Sequence, residues 1–349
     1  MRFGYWMPVF GGWLRNVEHE GMEATWEYTS RLARRSEEIG YDLTLVAELF
    51  LNDIKGADAP TLEAWSTAAA LAAVTRRLEI MVAVRPTFHP PAIFAKQAAN
   101  IDRISGGRLS LNVVSSWWAT EAKKYGVHFD VHDDRYARTA EWLEVVDGVW
   151  REPRFSYGGR YYQVDETILE PKPVSRPRPT IYAGGESPAA KELISGRCDG
   201  YLMHGDPPEN LAPKVADMRR RREALGLPPM AYGAAAYAIV RDTEAEARRE
   251  LARITDVSSG AAYHSYHDWL ANTQLEQRVS LEDYSVSNRG LRAGLVGTPE
   301  QVAERLLALE AAGLGLVLLQ FSPQLEEMER FAEQVIPLVH GARTQARAA

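Results

Sequence analysis

At 349 residues the chain is long enough for two domains or for one α/β barrel enlarged by insertions. Its 40 Lys and Arg against 47 Asp and Glu leave a net charge of −7, which argues against a nucleic-acid backbone or an anionic membrane as partner; 46% hydrophobic and 25% charged residues exclude disorder as the main state. Cys198 is the sole cysteine, which excludes an intrachain disulfide and a thiolate metal cluster, and the lack of a signal-peptide pattern or a long apolar run predicts a cytoplasmic protein.

In chain order, eight short apolar or β-branched runs recur: Arg2–Pro8, Leu43–Ala47, Leu78–Val84, Leu109–Val114, Thr180–Ala183, Gly200–Met203, Ala231–Val240 and Leu316–Phe321. Each precedes a helix-length pattern, so the alternation predicts a (β/α)8 TIM barrel over residues 1–340, with 341–349 as a tail. After the third run, Ile93, Phe94, Gln97, Ala98, Ile101 and Ile104 define one helical face, which Gly106-Gly107 ends where positive φ is cheap. Thr243 with Glu246, and Thr298-Pro299-Glu300-Gln301, have capping-box spacing. Two connections are too long for a plain strand-to-helix turn. Residues 115–178, after the fourth run, hold a polar loop, a helix beginning near Asp133 and a hairpin in FSYGGRYYQV. Residues 256–289, after the seventh, hold His264, His267 and Trp269 with little periodicity, which predicts a mobile lid over the barrel mouth.

Active sites of such barrels gather at the C-terminal ends of the strands. Those ends carry Trp6 and Phe10 after the first run, Glu48, Leu49 and Phe50 after the second, and Arg85 and His89 after the third. Asn112, Trp117 and Trp118 follow on the fourth, His204 on the sixth and Tyr237 on the seventh. The fifth ends in Gly184-Gly185-Glu186-Ser187-Pro188, where two glycines admit a close ligand and Ser187 can cap the next helix. On this turn alone a phosphate site and an ordinary serine-capped helix are equally good readings. His264 and His267 have no third ligand at reliable spacing, so no metal site is predicted, and Cys198 reads as core rather than nucleophile.

The ordered segments AVRPTFHPPAIFAKQAANIDRISGGRLSLNVVSSWW, HDDRY, EPKPVSRPRPTIYAGGES and LVGTPEQVAERL resemble the bacterial-luciferase-like flavin monooxygenases. The resemblance runs from Arg2 to about Val339 and is nearest the two-component branch that includes dimethyl sulfone, alkanesulfonate and pyrimidine monooxygenases. It implies FMN as cofactor, bound as FMNH2 from a separate NAD(P)H:FMN reductase, with O2 as co-substrate. The reaction it implies is oxidation of a small organosulfur compound, a sulfone or sulfonate, with C–S cleavage, in a homodimer or homotetramer.

Residue by residue, the resemblance places Asn112 beside the flavin ring near N5, and Arg135, Tyr136, Gly185 and Ser187 on the FMN phosphate. It places Glu48, Leu49 and Glu121 at further flavin contacts. Trp6, Phe10, Phe50, Trp117, Trp118 and Tyr237 are expected to wall the substrate pocket, with His204 and Arg292 donating protons or holding charge. Where alkanesulfonate enzymes carry an Arg-His pair on strand seven, this chain has Ala235 and Tyr237, which favours a sulfone. The superfamily also contains deazaflavin-dependent dehydrogenases and non-catalytic flavin-binding proteins, and both stay open here. For the individual residues plainer roles stay open as well: Asn112 as a strand cap, Arg135 paired with Asp133 or Asp134, and Tyr136 in the core.

Overall fold

The computed structural model describes residues 1–115, 117–256 and 280–348. Its strands in chain order are β1 (Arg2–Met7), β2 (Leu43–Val46), β3 (Glu79–Val84), β4 (Leu109–Val113), β5 (Phe155–Gly158), β6 (Gln163–Thr167), β7 (Thr180–Gly184), β8 (Gly200–Met203), β9 (Ala231–Val240), β10 (Leu295–Gly297) and β11 (Leu316–Gln320). Eight of them, β1 to β4, β7 to β9 and β11, pair in parallel around a closed ring. Closure is made by β11, whose Leu318 lies opposite Gly4 on one side and Ala235 on the other. The fold is a (β/α)8 barrel, and its strands coincide with the eight apolar runs to within a residue or two. The hairpin of β5 and β6 forms between β4 and β7, as FSYGGRYYQV predicts. The short β10 was not foreseen; it extends the outer end of β9, with Leu295 opposite Ala238.

These strands read as runs rather than alternations because barrel strands are covered on both faces. Leu43–Val46 and Leu109–Val113 are buried at every position. On β9 the ring has space only for small residues: a Cβ on Gly233 would meet Leu202 Cδ2 at 2.9 Å, and Ala234, Ala235 and Ala236 follow it.

The helix Pro91–Ser105 is rotated from the expected face. It buries Phe94, Ala98 and Ile101 but leaves Ile93 and Ile104 60% and 45% exposed. The reason is Asp102, which takes the inward position and accepts hydrogen bonds from Val174 N (2.6 Å), Ser175 N (2.8 Å) and Ser175 Oγ (2.7 Å), tying down the proline-rich segment. Gly106 ends the helix in the left-handed region at φ 71°, and both capping boxes form. The long helix His132–Arg151 lies against Pro91–Ser105, pinned by Trp150 Nε1 on Ala95 O (2.9 Å) and Trp142 Nε1 on His89 O (2.8 Å). Its first turns thereby carry Arg135 and Tyr136 to the barrel mouth.

Of the expected lid, residues 257–279, with His264, His267 and Trp269, lie outside the described residues. The segment that follows them folds back on the mouth. Leu14 bridges Val286 and Arg15 N donates to Ser285 O at 3.0 Å. Among the described residues no helix is long and apolar enough to cross a membrane.

Candidate active site

A pocket of about 160 Å³ opens at the C-terminal end of the barrel. Trp6, Phe10, Trp117 and Leu49 give it apolar walls, and Asn112 and His204 face it from the ends of β4 and β8. The returning segment supplies Asp283, Tyr284, Val286 and Ser287 as a further wall. Asn112 is buried beside Val113, which pairs with Ala183 on β7 two residues before Gly185. At about 3.3 Å rise per residue, Asn112 and the Gly184–Ser187 turn therefore sit close together on neighbouring strands.

One wall is a buried charge cluster. Arg85, at the end of β3, passes its guanidinium between the rings of Phe88 (4.0 Å) and Phe50 (5.2 Å). Its Nη1 donates to Glu121 Oε2, its backbone N–H donates to Glu48 Oε2 (2.7 Å), and Nε lies 3.5 Å from the same oxygen. His89 Nε2 is 2.6 Å from Glu48 Oε1, and Glu121 Oε1 accepts from the N–H groups of Phe50 (2.6 Å) and Leu51 (3.3 Å). A second pair crosses the pocket's other side: Arg15 Nη2 holds Asp53 Oδ2 at 2.6 Å while the guanidinium covers the Tyr284 ring at 4.0 Å. Sequence reasoning missed Arg15 and Asp53 altogether, since they lie in loops, 38 positions apart, with no periodicity to mark them.

The structure brings Tyr136, Gly185 and Ser187 together, with Arg135 next to Tyr136 on the helix His132–Arg151. Ser187 caps the helix Pro188–Arg197, accepting from Ala190 N, with Pro188 in its first turn. A Cβ on Gly185 would lie 2.5 Å from Ala190 Cβ and 3.1 Å from Tyr136 Oη, so only glycine leaves the cradle open. Burial pushes the Tyr136 phenol above its ordinary pKa, keeping it a neutral donor, although its hydrogen bond with Ser187 pulls the other way. Arg135 is buried over the Phe129 ring at 4.7 Å, and its Nη1 donates to Asp130 O (3.0 Å). A phenol, a hydroxyl and a helix start around a glycine cradle fit a phosphate monoester.

Several expected site residues stand elsewhere. Glu121 is fully buried and does not line the pocket; it clamps the loop after β2 to Arg85. Phe50 packs on Arg85 and Tyr125 outside the lining, and Trp118 is buried, stacked behind Trp117 with centroids 5.5 Å apart. Tyr237 is also absent from the lining: β9 buries it completely, and burial raises its phenol well above the ordinary range. Arg292 lies outside the pocket, held by Asp206 Oδ1 (3.0 Å) and Asp283 Oδ2 (3.3 Å), because two carboxylates within reach capture a long flexible cation. Cys198 is buried and its thiol is pushed up to about 12, which suits a core residue.

The arrangement is that of a barrel enzyme able to seat a phosphate-bearing ligand across its mouth, beside an apolar pocket with paired charges in its walls. The chain belongs to the luciferase-like monooxygenase family, which matches residues 1–315. It is 34% identical over 359 residues to a protein of Pseudomonas putida named FMNH(2)-dependent dimethylsulfone monooxygenase, covering 100% of this chain and 98% of that one. Its fold matches a riboflavin lyase solved with modified FMN and riboflavin (TM-score 0.82, 22% identity, 98% of this chain and 92% of that one). It also matches DmoA from Hyphomicrobium sulfonivorans (TM-score 0.81, 19% identity, 98% and 87%).

Proposed function

We propose that this protein is a monooxygenase that takes FMNH2 from a separate NAD(P)H:FMN reductase and uses O2 to oxidise a small neutral sulfone with C–S cleavage. When bound, FMNH2 supplies two electrons: one oxygen atom of O2 leaves as water, the other becomes the oxygen of an aldehyde, and the sulfone leaves as a sulfinate. Arg135, Tyr136, Gly185 and Ser187 would hold the cofactor's phosphate, and Asn112 would orient its ring. The aromatic walls would exclude water, and His204, which lines the pocket, would move a proton at the substrate. The 34% identical, full-length relative supports the reaction class.

The observation that carries the choice of a neutral substrate is the charge inventory of the pocket. Among the described lining residues, Arg85 is compensated by Glu48 and Glu121, and Arg15 by Asp53. Asp283 adds a further carboxylate at the mouth, itself held by Arg292. Among the described lining residues a sulfonate meets no arginine that lacks a carboxylate partner, and each missing charge-assisted hydrogen bond costs about 1.5–3 kcal/mol. A sulfone asks only for neutral donors. The test compares kcat/KM for dimethyl sulfone and methanesulfonate with a flavin reductase present, reading formaldehyde, sulfinate and sulfite. Dimethyl sulfone should be preferred by about tenfold or more; a preference for methanesulfonate would overturn the reading.

A further inference from the structure

The turn Gly184–Ser187 contains a carboxylate where a dianion is expected. Glu186 stands between Gly185 and Ser187 and is buried, so its charge opposes any phosphate drawn to the same turn. Lys214 answers it from behind. From the helix Pro208–Ala224 its Nζ reaches 2.9 Å from Glu186 Oε1 and 3.7 Å from Asp206 Oδ2, with the lysine side chain 8% exposed and the carboxylates 5% and 2%. Lysine is rarely buried unless it is paired, and here its partner is a residue of the turn itself. Asp206 in turn holds Arg292, so the lysine belongs to a run of alternating charges that starts at the turn.

We propose that Lys214 is a positioning residue for the cofactor phosphate: it neutralises and holds Glu186 so that the turn presents hydrogen-bond donors, rather than a competing anion, to the monoester. This rests on the reading of Arg135, Tyr136, Gly185 and Ser187 as the phosphate site. Lys214 acts through Glu186 and does not itself touch the cofactor.

The experiment is anaerobic titration of FMNH2 and of reduced riboflavin into wild type, Lys214→Met, Lys214→Arg, Glu186→Gln and Glu186→Gln/Lys214→Met. Lys214→Met should weaken FMNH2 by about ten- to a hundredfold, the loss of a charge-assisted arrangement, and leave reduced riboflavin nearly unchanged. Lys214→Arg should keep most of the FMNH2 affinity, and the double variant should recover it, because the carboxylate that Lys214 masks is gone. Glu186→Gln alone should hold or strengthen FMNH2 binding, and it decides the matter if Lys214→Met does not fold. Equal weakening of both flavins in Lys214→Met, or a fall in FMNH2 binding in Glu186→Gln, would overturn the proposal. A wild type that prefers FMNH2, with that preference intact in Lys214→Met, overturns the role of Lys214 alone. A wild type that binds both flavins equally overturns the phosphate reading and this proposal with it.

Discussion

Replacing Arg85 with methionine removes the cation from a cluster whose two carboxylate side chains are 1% and 0% exposed. The damage is not shared equally. Glu48 keeps the backbone N–H of residue 85 (2.7 Å) and His89 (2.6 Å), neither of which depends on the guanidinium. Glu121 keeps the N–H groups of Phe50 and Leu51 on Oε1 but loses Arg85 Nη1 from Oε2. Methionine can still fill the slot between Phe50 and Phe88, so the loss is mainly one stranded buried charge. Breaking a buried pair from one side costs about 3–5 kcal/mol. At about 2.1 cal/mol/K per residue, 349 residues unfold with an entropy of about 0.7 kcal/mol/K, so Tm should fall by about 4–7 °C. Adding Glu121→Gln removes the stranded charge while its amide oxygen still accepts from Phe50 and Leu51, and should restore more than half of that loss. Differential scanning calorimetry at neutral pH on the two single variants and the double measures both effects. A single variant within about 1 °C of wild type, or a double variant as unstable as the two singles added together, would refute the reasoning.

Three further outcomes follow from the mouth of the barrel. Gly185→Ala should lower Tm as well as weaken FMNH2, because the added Cβ meets the buried Ala190 Cβ at 2.5 Å and Tyr136 Oη at 3.1 Å; unaltered flavin affinity in an equilibrium titration of the folded variant would contradict the cradle. Tyr136→Phe should cost FMNH2 affinity by the same factor at pH 7 and pH 9, since burial raises the phenol's pKa and keeps it protonated across that range; a loss that disappears at pH 9 would mean the phenol ionises there. The hydrogen bond from Arg138 holds the Asp130 carboxyl below its ordinary value, so its contribution is complete above about pH 4 and is lost as pH falls through the lowered folded value. The Tm difference between wild type and Asp130→Asn should accordingly be flat from pH 5 to 8 and close only at more acid pH.

The barrel was legible because each of its strands announces itself locally. A strand covered on both faces must be a short apolar run, and a helix start must satisfy its own free N–H groups, so Thr243, Thr298 and Ser187 mark theirs within four residues. The serine cap at Ser187 was legible for the same reason, whereas the phosphate role proposed for Arg135, Tyr136, Gly185 and Ser187 came from the family resemblance and not from any local signal. The helix Pro91–Ser105 was misread at its edges because the residue that sets its rotation, Asp102, is buried by partners 72 and 73 positions away.

Charge shows the difference most sharply, and it bears on substrate choice. In sequence an arginine counts as available, yet whether it can bind an anion depends on which carboxylates the fold brings to it. Arg85 meets Glu121 across 36 positions, Arg15 meets Asp53 across 38, and Arg292 meets Asp206 across 86, and no local pattern signals any of these encounters. The sequence comparison favoured a sulfone because Ala235 and Tyr237 replace a cationic pair on the seventh barrel strand, but Tyr237 does not line the pocket at all. The preference now has a different support, namely arginines already compensated in the pocket walls. Restoring a cation at position 237 would therefore not create an anion site, whereas removing a wall carboxylate such as Asp53 would free the charge of Arg15 and should shift selectivity toward a sulfonate.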